Sequence, residues 1–381
     1  MENKFSAILT NDFEKYEKLS KKYNLSISEI LQIDMNRSGV YLPNSEVRTD
    51  FRVRFKGQFK DDYETWYALP VREKEDTPFS CKNNKIYFQD KEIGNITTEL
   101  MLDTCESSYQ RGPHLLNLNS RSRSNCGGCT ACIHNDKHLY DHTVLKDQKG
   151  LYTEEDIEEF FKEKNIDIAN LAQIAVVTGL FHSENAVIEH MKRISKVVER
   201  KGFEGQLMYF GCEVNSDEAL RELAVLGNFE LIYAYDNFTK RNQILNPSKG
   251  KLTIDDAIDT LERAKSKGIA TTISYIAGID SLEKLKEGFA LIKDSITEFP
   301  IINIYQTQTK IQSGIMDPEA KTLEYYLEAR KILEKIFENE SYAPKRWSNY
   351  RPLWYKIYQG KVLENNSFGQ LEKVKRKIRE K

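Results

Sequence analysis

The pattern of apolar and polar positions divides the chain into stretches of different texture. The first 110 residues are irregular. Asn11 to Ile33 has helical spacing, and Asn24-Leu25-Ser26 leading to Glu29 reads as a helix start with a capping residue. From Phe51 the pattern alternates, through Phe51-Arg52-Val53-Arg54-Phe55-Lys56, then Thr65 to Val71, then Lys85-Ile86-Tyr87-Phe88. Such alternation with turns between predicts short antiparallel strands in a small α+β unit.

After Gly112-Pro113 continuous apolar runs begin to alternate with helical periods. Strands are expected at His114–Asn119, Ile174–Thr178, Gln206–Phe210, Phe229–Tyr235, Ala270–Ala277 and Pro300–Gln306. Helices are expected at Asn185–Lys201, Asp217–Leu226, Ile254–Ser266 and Leu282–Lys293, the third ended by Gly268. Strands without internal alternation, each returning through a helix, imply a parallel sheet covered on its outer face. Six such units suit an incomplete barrel better than an open doubly wound sheet. Glu319 to Glu338 reads as a terminal helix, followed by a basic and aromatic tail. The expected fold class is therefore α/β. Residues 1–110 form an accessory unit, 111–310 a partial (β/α)6 TIM-type barrel, and 311–381 a C-terminal extension.

Composition narrows the class. The 56 Lys and Arg balance 58 Asp and Glu to a net charge of −2, so nothing draws the whole chain to nucleic acid or anionic membrane. No apolar run approaches the ~20 residues that span a bilayer, and Met1-Glu2-Asn3-Lys4-Phe5 lacks a signal-peptide pattern. Six cysteines in 381 residues are too sparse for a disulfide scaffold, and a cytoplasmic location is expected.

Three of those cysteines lie within seven residues, in Asn125-Cys126-Gly127-Gly128-Cys129-Thr130-Ala131-Cys132. Three thiolates this close can hold one face of a cubane iron–sulfur cluster, and Gly127-Gly128 lets the backbone fold tightly around it. The ferredoxin run would place a fourth cysteine where Asp136 stands. A cubane with three protein ligands keeps one iron open for chemistry. The competing ligand set is zinc on Cys126, Cys129 and Cys132 with His134 or His138. That set would make the chain a zinc-stabilised binding protein whose aromatic-basic tail, Lys345-Arg346-Trp347 to Tyr355, contacts nucleic acid. Packing of the tail across the barrel explains the same residues.

The loop follows the first strand of the parallel set, at the end where barrel active sites are built. In this it resembles the radical S-adenosylmethionine (radical SAM) superfamily, over about Gly112 to Lys310, with phrasing closest to the biotin-synthase and hydrogenase-maturase branch. Thr178-Gly179-Leu180-Phe181 stands where that family has a turn binding the methionine amino group. Tyr235-Asp236-Asn237 and Arg241 stand where it places ribose and carboxylate contacts, and Ile276 and Gly278 lie in its adenine-contacting stretch. The departures are a first cysteine gap one residue shorter, Ala131 for the usual aromatic, and Leu180-Phe181 where Gly and Glu are common.

The resemblance implies a 4Fe–4S cluster on Cys126, Cys129 and Cys132 and S-adenosylmethionine on its open iron. It also implies an electron donor such as flavodoxin or ferredoxin, and a radical that abstracts hydrogen from a small molecule or peptide. Cys212 is the only other cysteine in the barrel and none follows it, which argues against sulfur insertion and against methyl transfer through a C-terminal cysteine. Rearrangement, cleavage, epimerisation or coupling remain. Cys212 is a candidate hydrogen-atom donor, although a buried apolar thiol is the simpler account.

Other residues carry two readings each. His134, His138 and His142 share a helical face and suit a second metal or a polar surface. His182 and Glu184 suit a cavity wall or the cap of the helix near Asn185. Tyr235, Tyr275, Tyr305, Gln306 and Gln308 end strands and suit a substrate pocket or barrel filling.

Overall fold

Two sheets carry the fold. The computed structural model describes residues 14–43, 48–57, 65–97, 101–102, 109–112, 114–120, 128–132, 150–345, 349 and 351–363. Helix α1 covers residues 14–23 and stops at Asn24, whose φ of 53° is left-handed. Ser26 then accepts the Glu29 amide at 3.2 Å and starts α2, Ile27–Ser38. One long helical period is thus two helices.

Strands β1 (Arg48–Phe55), β2 (Thr65–Pro70), β3 (Phe79–Lys82), β4 (Lys85–Phe88) and β5 (Lys91–Ile96) make an antiparallel sheet in the order β2-β1-β5-β4-β3. The short β6 (Met101–Leu102) pairs with β1. Phe51, Val53 and Phe55 are buried, as a period of two requires of a strand with one covered face.

Cys81 on β3 is buried with them, and burial pushes its thiol from 9.0 to about 12. The folded state therefore holds the proton more tightly than the unfolded chain, so this contribution is complete below pH 9 and is lost as pH rises towards 12. Urea unfolding under reducing conditions is expected to show stability falling by about 1.4 kcal/mol per pH unit from this thiol. Cys81→Ala should remove that part of the slope.

The second sheet begins with β7 (Tyr109–Gly112), antiparallel to β8 (Leu115–Leu118). There follow α3 (Glu154–Glu163), β9 (Gln173–Val177), α4 (Glu184–Arg200), β10 (Gln206–Gly211), α5 (Asp217–Ala224) and β11 (Phe229–Asp236). After two short turns of helix, α6 (Arg241–Ile244) and α7 (Pro247–Gly250), come α8 (Ile254–Ser266), β12 (Ala270–Ala277), α9 (Leu282–Ile292) and β13 (Ile301–Ile304). Strands β8 to β13 are parallel and lie in chain order, a six-stranded parallel half-barrel. This is the expected partial (β/α)6 arrangement, and the predicted strands and helices stand within a few residues of their places.

Local chemistry sets the boundaries. Thr153 and Thr253 form capping boxes with Asp156 and Asp256, and Ser183, Ser216 and Ser281 cap α4, α5 and α9. All eight residues of β11 are buried, as a central strand covered on both faces requires. Leu207 and Tyr209 face the helix layer, while Met208 and Phe210 meet Ala175 and Ile232 on the other face.

Beyond β13 the chain adds α10 (Lys310–Ile315) and α11 (Leu323–Ile336). The expected helix from Glu319 starts late, because Pro318–Lys321 is a 3-10 turn and Thr322 caps α11. The tail then returns to the sheet. Arg351 O accepts the Ile304 amide at 2.8 Å, which covers the open edge of β13. One apolar core runs from the first sheet through β11–β13 to Trp354 and Tyr355. Tyr355 stacks on Tyr67 with ring centroids 5.9 Å apart. These described tail aromatics are packed inside, where no base can stack on them.

No helix among the described residues is long and apolar enough to cross a membrane.

Candidate active site

The carboxyl ends of β8 to β13 gather the residues singled out from sequence. Of the cysteine loop, Gly128 to Cys132 are described, and Cys126, His134, His138 and His142 lie outside the described residues. Gly128 takes φ 92°, and a Cβ there would stand 3.2 Å from the Asn246 side-chain amide. Only glycine fits both the left-handed backbone and the approach. The Cys132 amide donates to Cys129 O at 3.0 Å, closing a tight turn that keeps both thiols on one short segment.

The loop docks on the α6–α7 hairpin. The Asn246 backbone amide donates to Cys129 Sγ at 3.1 Å, and the Thr130 hydroxyl donates to Ile244 O at 3.4 Å. Cys129 and Ala131 pack against the buried cluster of Ile244, Leu245, Ile279 and Tyr305. Burial pushes the Cys129 thiol up to about 11, against the pull of the Asn246 amide and the Lys249 charge. Among the described residues no three His, Cys, Asp or Glu side chains converge as a metal site.

The turn after β9, Thr178 to Phe181, is tied to β10. Glu213 accepts the Phe181 amide at 3.2 Å through Oε1, and the Tyr209 hydroxyl and Cys212 amide at 2.7 Å through Oε2. Glu184 opens α4 and accepts the Asn215 and Ser216 amides at 2.5 and 2.7 Å, while Ser183 caps the helix. A cavity of about 530 Å³ is bounded by Phe181, His182, Glu184, Cys212, Lys251 and Arg263, among others. Cys212 is buried in its wall, and burial pushes its thiol up to about 12.

At the end of β11 the residues divide. Arg241 is committed to the backbone: Nε donates to Leu252 O at 3.0 Å, one terminal nitrogen to Lys249 O at 2.6 Å, and the other to Tyr235 O. Its guanidinium also lies 3.8 Å from the Tyr235 ring centroid. Asp236 follows a bulge in β11, has φ 69°, and pairs with the Lys249 ammonium. Asn237 accepts the Lys240 amide at 2.8 Å, and its buried Nδ2 has no hydrogen-bond partner.

At β12, Ile276 packs on the same cluster as the cysteine loop and Gly278 has φ 114°. The Gly278 amide donates to Tyr325 OH at 3.2 Å, and a Cβ would lie 2.8 Å from Tyr326 OH. Gly278→Ala is expected to cost about 1–3 kcal/mol from the backbone alone, plus displacement of Tyr326, measured by the urea midpoint. Asp280 accepts the Phe238 and Thr239 amides at 2.7 and 3.1 Å and Tyr275 OH at 3.0 Å, locking the β11 and β12 turns together.

The strand-end aromatics mostly pack. Tyr235 and Tyr275 flank Phe238, with ring centroids 5.6 and 5.1 Å from it, and Tyr305 lies against the cysteine loop. Gln306 Nε2 donates to Asn36 Oδ1 at 2.9 Å and Ala68 O at 3.0 Å, joining the segment after β13 to α2 and β2. Asn246, Lys249 and Glu213 were not legible as site residues. Glu213, an acid directly after Gly211-Cys212 at a strand end, carried the one faint signal.

Fold and site together define an α/β half-barrel protein with a thiol loop at the carboxyl end of its parallel strands. No protein-family model and no curated protein matches the sequence. Among solved structures it is similar to coproporphyrinogen III oxidase from Escherichia coli, described as a radical SAM enzyme, at 14% identity and TM-score 0.37 over 59% of this chain and 54% of that one. It is similar to SuiB from Streptococcus suis bound to S-adenosylmethionine, at 11% identity and TM-score 0.37 over 57% and 47%. It is also similar to the FeFe-hydrogenase maturase HydG from Carboxydothermus hydrogenoformans, at 13% identity and TM-score 0.43 over 69% and 65%. The chain spans about half the length of the first two and 65% of the third.

Proposed function

We propose that this chain is a radical SAM enzyme of the cytoplasm, with residues 111–310 as its catalytic part and the flanking segments as accessory. The observation that carries this is the hydrogen bond from the Asn246 amide to Cys129 Sγ, at the carboxyl end of a six-stranded parallel sheet. An amide aimed at sulfur, a two-thiol turn and an apolar surround fit a cluster ligand, because hydrogen bonds to sulfur and low exposure are how proteins tune such clusters. For S-adenosylmethionine the fitting feature is the buried, unpartnered Asn237 Nδ2 at the end of β11. Cys126, Cys129 and Cys132 would hold the cluster, and Asn237 and the turns after β9 and β12 the sulfonium cofactor.

When bound and reduced by an external one-electron donor, the cluster would supply an electron to the carbon–sulfur bond of the sulfonium cofactor and so give an agent of hydrogen abstraction. The protein's own work is positional. Ile279 and Tyr305 keep water from the loop, Glu213 and Asp280 fix the turns after β9 and β11, and Arg241 pins the hairpin on which the loop docks. The cavity beside Cys212 is of the size that takes a small molecule or one residue of a peptide.

Anaerobic reconstitution should give brown protein with about four irons per chain. Dithionite with S-adenosylmethionine should then yield methionine and 5′-deoxyadenosine. Colourless protein holding one zinc would instead favour the structural metal site.

A further inference from the structure

Asn246 meets the cysteine loop twice. Its backbone amide donates to Cys129 Sγ at 3.1 Å, and its side-chain nitrogen would stand 3.2 Å from a Cβ on Gly128. The reason this amide turns to sulfur lies in how α7 starts. Asn246 is the N-cap of that helix: Oδ1 accepts the Ser248 amide at 3.0 Å, and the carbonyl accepts the Lys249 and Gly250 amides at 2.9 and 2.7 Å. A helix makes no use of its N-cap's own N–H, which a capping box satisfies with an acceptor three residues on. Thr153 and Thr253 are satisfied in that way, by Asp156 at 3.0 Å and Asp256 at 2.8 Å. In α7 the third position is Lys249, whose ammonium only donates. That position offers the Asn246 amide no acceptor, and Cys129 Sγ takes it.

The fold fixes the donor from both sides. Leu245 is extended, at φ −101° and ψ 158°, and Asn246 follows at φ −51° and ψ 140°. Ile244 and Leu245 are buried in the cluster on which Cys129 packs, and Ile244 O accepts the Thr130 hydroxyl at 3.4 Å. A donor held in this way needs no reorganisation when the charge on its acceptor rises.

We propose that the Asn246 backbone amide is the positioning group for Cys129 as a cluster ligand, and that its hydrogen bond raises the cluster's reduction potential. This rests on the proposed function. An added electron increases the negative charge on the sulfurs, so an N–H aimed at one of them binds the reduced cluster more strongly than the oxidised one. The amide acts through Cys129 and touches no substrate.

The test uses the full chain, reconstituted anaerobically with iron and sulfide and produced with asparagine labelled with 15N at its α-amino nitrogen. Pulsed electron paramagnetic resonance of the reduced cluster should show a 15N coupling in wild type. Asn246→Ser keeps the amide and a capping oxygen but not the label, so it should lose that coupling and keep the midpoint potential. Identical spectra of the two proteins overturn the proposal. Asn246→Pro removes the proton itself, at a φ and after an extended residue that suit proline. It should shift the reduction equilibrium about tenfold towards the oxidised cluster, which is 59 mV for one electron. Thr130→Ala removes the other hydrogen bond between loop and hairpin and should keep the midpoint, because no sulfur loses a donor. An unchanged midpoint in loaded Asn246→Pro overturns the proposal alone, as does an equal fall in Thr130→Ala. Loss of iron in Asn246→Pro with iron kept in Thr130→Ala supports the positioning role, and the labelled spectra then decide whether the donor reaches sulfur. A wild-type chain that takes up no cluster overturns the proposed function and this role together.

Discussion

Cys129→Ala is expected to leave the folded protein intact, reduce reconstituted iron well below about four per chain, and bring 5′-deoxyadenosine formation to background. The loss should be near complete because the sequence holds no further cysteine between Cys132 and Cys212 to take its place. Cys212, the described thiol outside the loop at this end of the sheet, follows β10 and has its backbone tied to Glu213. Removing Cys129 also leaves the Asn246 amide without the sulfur that accepts it, so the hairpin loses one of its hydrogen bonds to the loop and keeps that from Thr130 to Ile244 O. The controls separate a ligand from a generic thiol. Cys81→Ala removes a buried sulfur in the first sheet and should keep full iron and full product. Cys212→Ala should keep its iron whatever it does to turnover. Iron retained at the wild-type level in Cys129→Ala would remove this cysteine from the ligand set. Anaerobic iron and sulfide assays with chromatographic detection of the nucleoside decide it.

What the sequence made legible here is what short-range physics determines. The parallel strands stood out because they are mainly apolar runs without strict alternation, most of them followed by a helical period, and both signals are local. The cysteine loop stood out because three cysteines fall within seven residues. Arg241 was legible as a position at a strand end, but not that carbonyls of Tyr235, Lys249 and Leu252 would take its donors. That outcome depends on a hairpin folding back, which no spacing encodes. Asn246 was silent for the same reason: it meets the cysteine loop more than a hundred residues away in the chain. Antiparallel β7 was missed because a four-residue edge strand, YQRG, shows no apolar run.

Glu29 shows the same limit and carries the largest expected effect on stability. By spacing it belongs to the capped start of α2, and its amide does donate to Ser26. Its fully buried carboxylate instead reaches across the molecule. Oε1 accepts Arg330 at 2.6 Å and the Tyr355 and Lys356 amides at 3.0 and 3.2 Å, and Oε2 accepts the Ile357 amide at 3.1 Å. Arg330 on α11 is 2% exposed and also donates to Leu353 O and Ile357 O. One carboxylate thus joins α2, α11 and the returning tail, the tail that covers the edge of β13. Glu29→Ala leaves the buried guanidinium with only the longer pairing to Glu334, at 3.4 Å, and takes from three backbone amides the carboxylate that accepts them, and should cost about 3–5 kcal/mol. Glu29→Gln keeps an acceptor but not the charge, and should fall between that variant and wild type. Replacing both partners, Glu29→Leu with Arg330→Met, should recover part of the loss, because no unpaired charge remains inside. Urea unfolding followed by tryptophan fluorescence reads the order, with Trp354 beside Arg330 as the reporter. An Ala variant within about 0.5 kcal/mol of wild type would mean that the pair contributes no more than an exposed one.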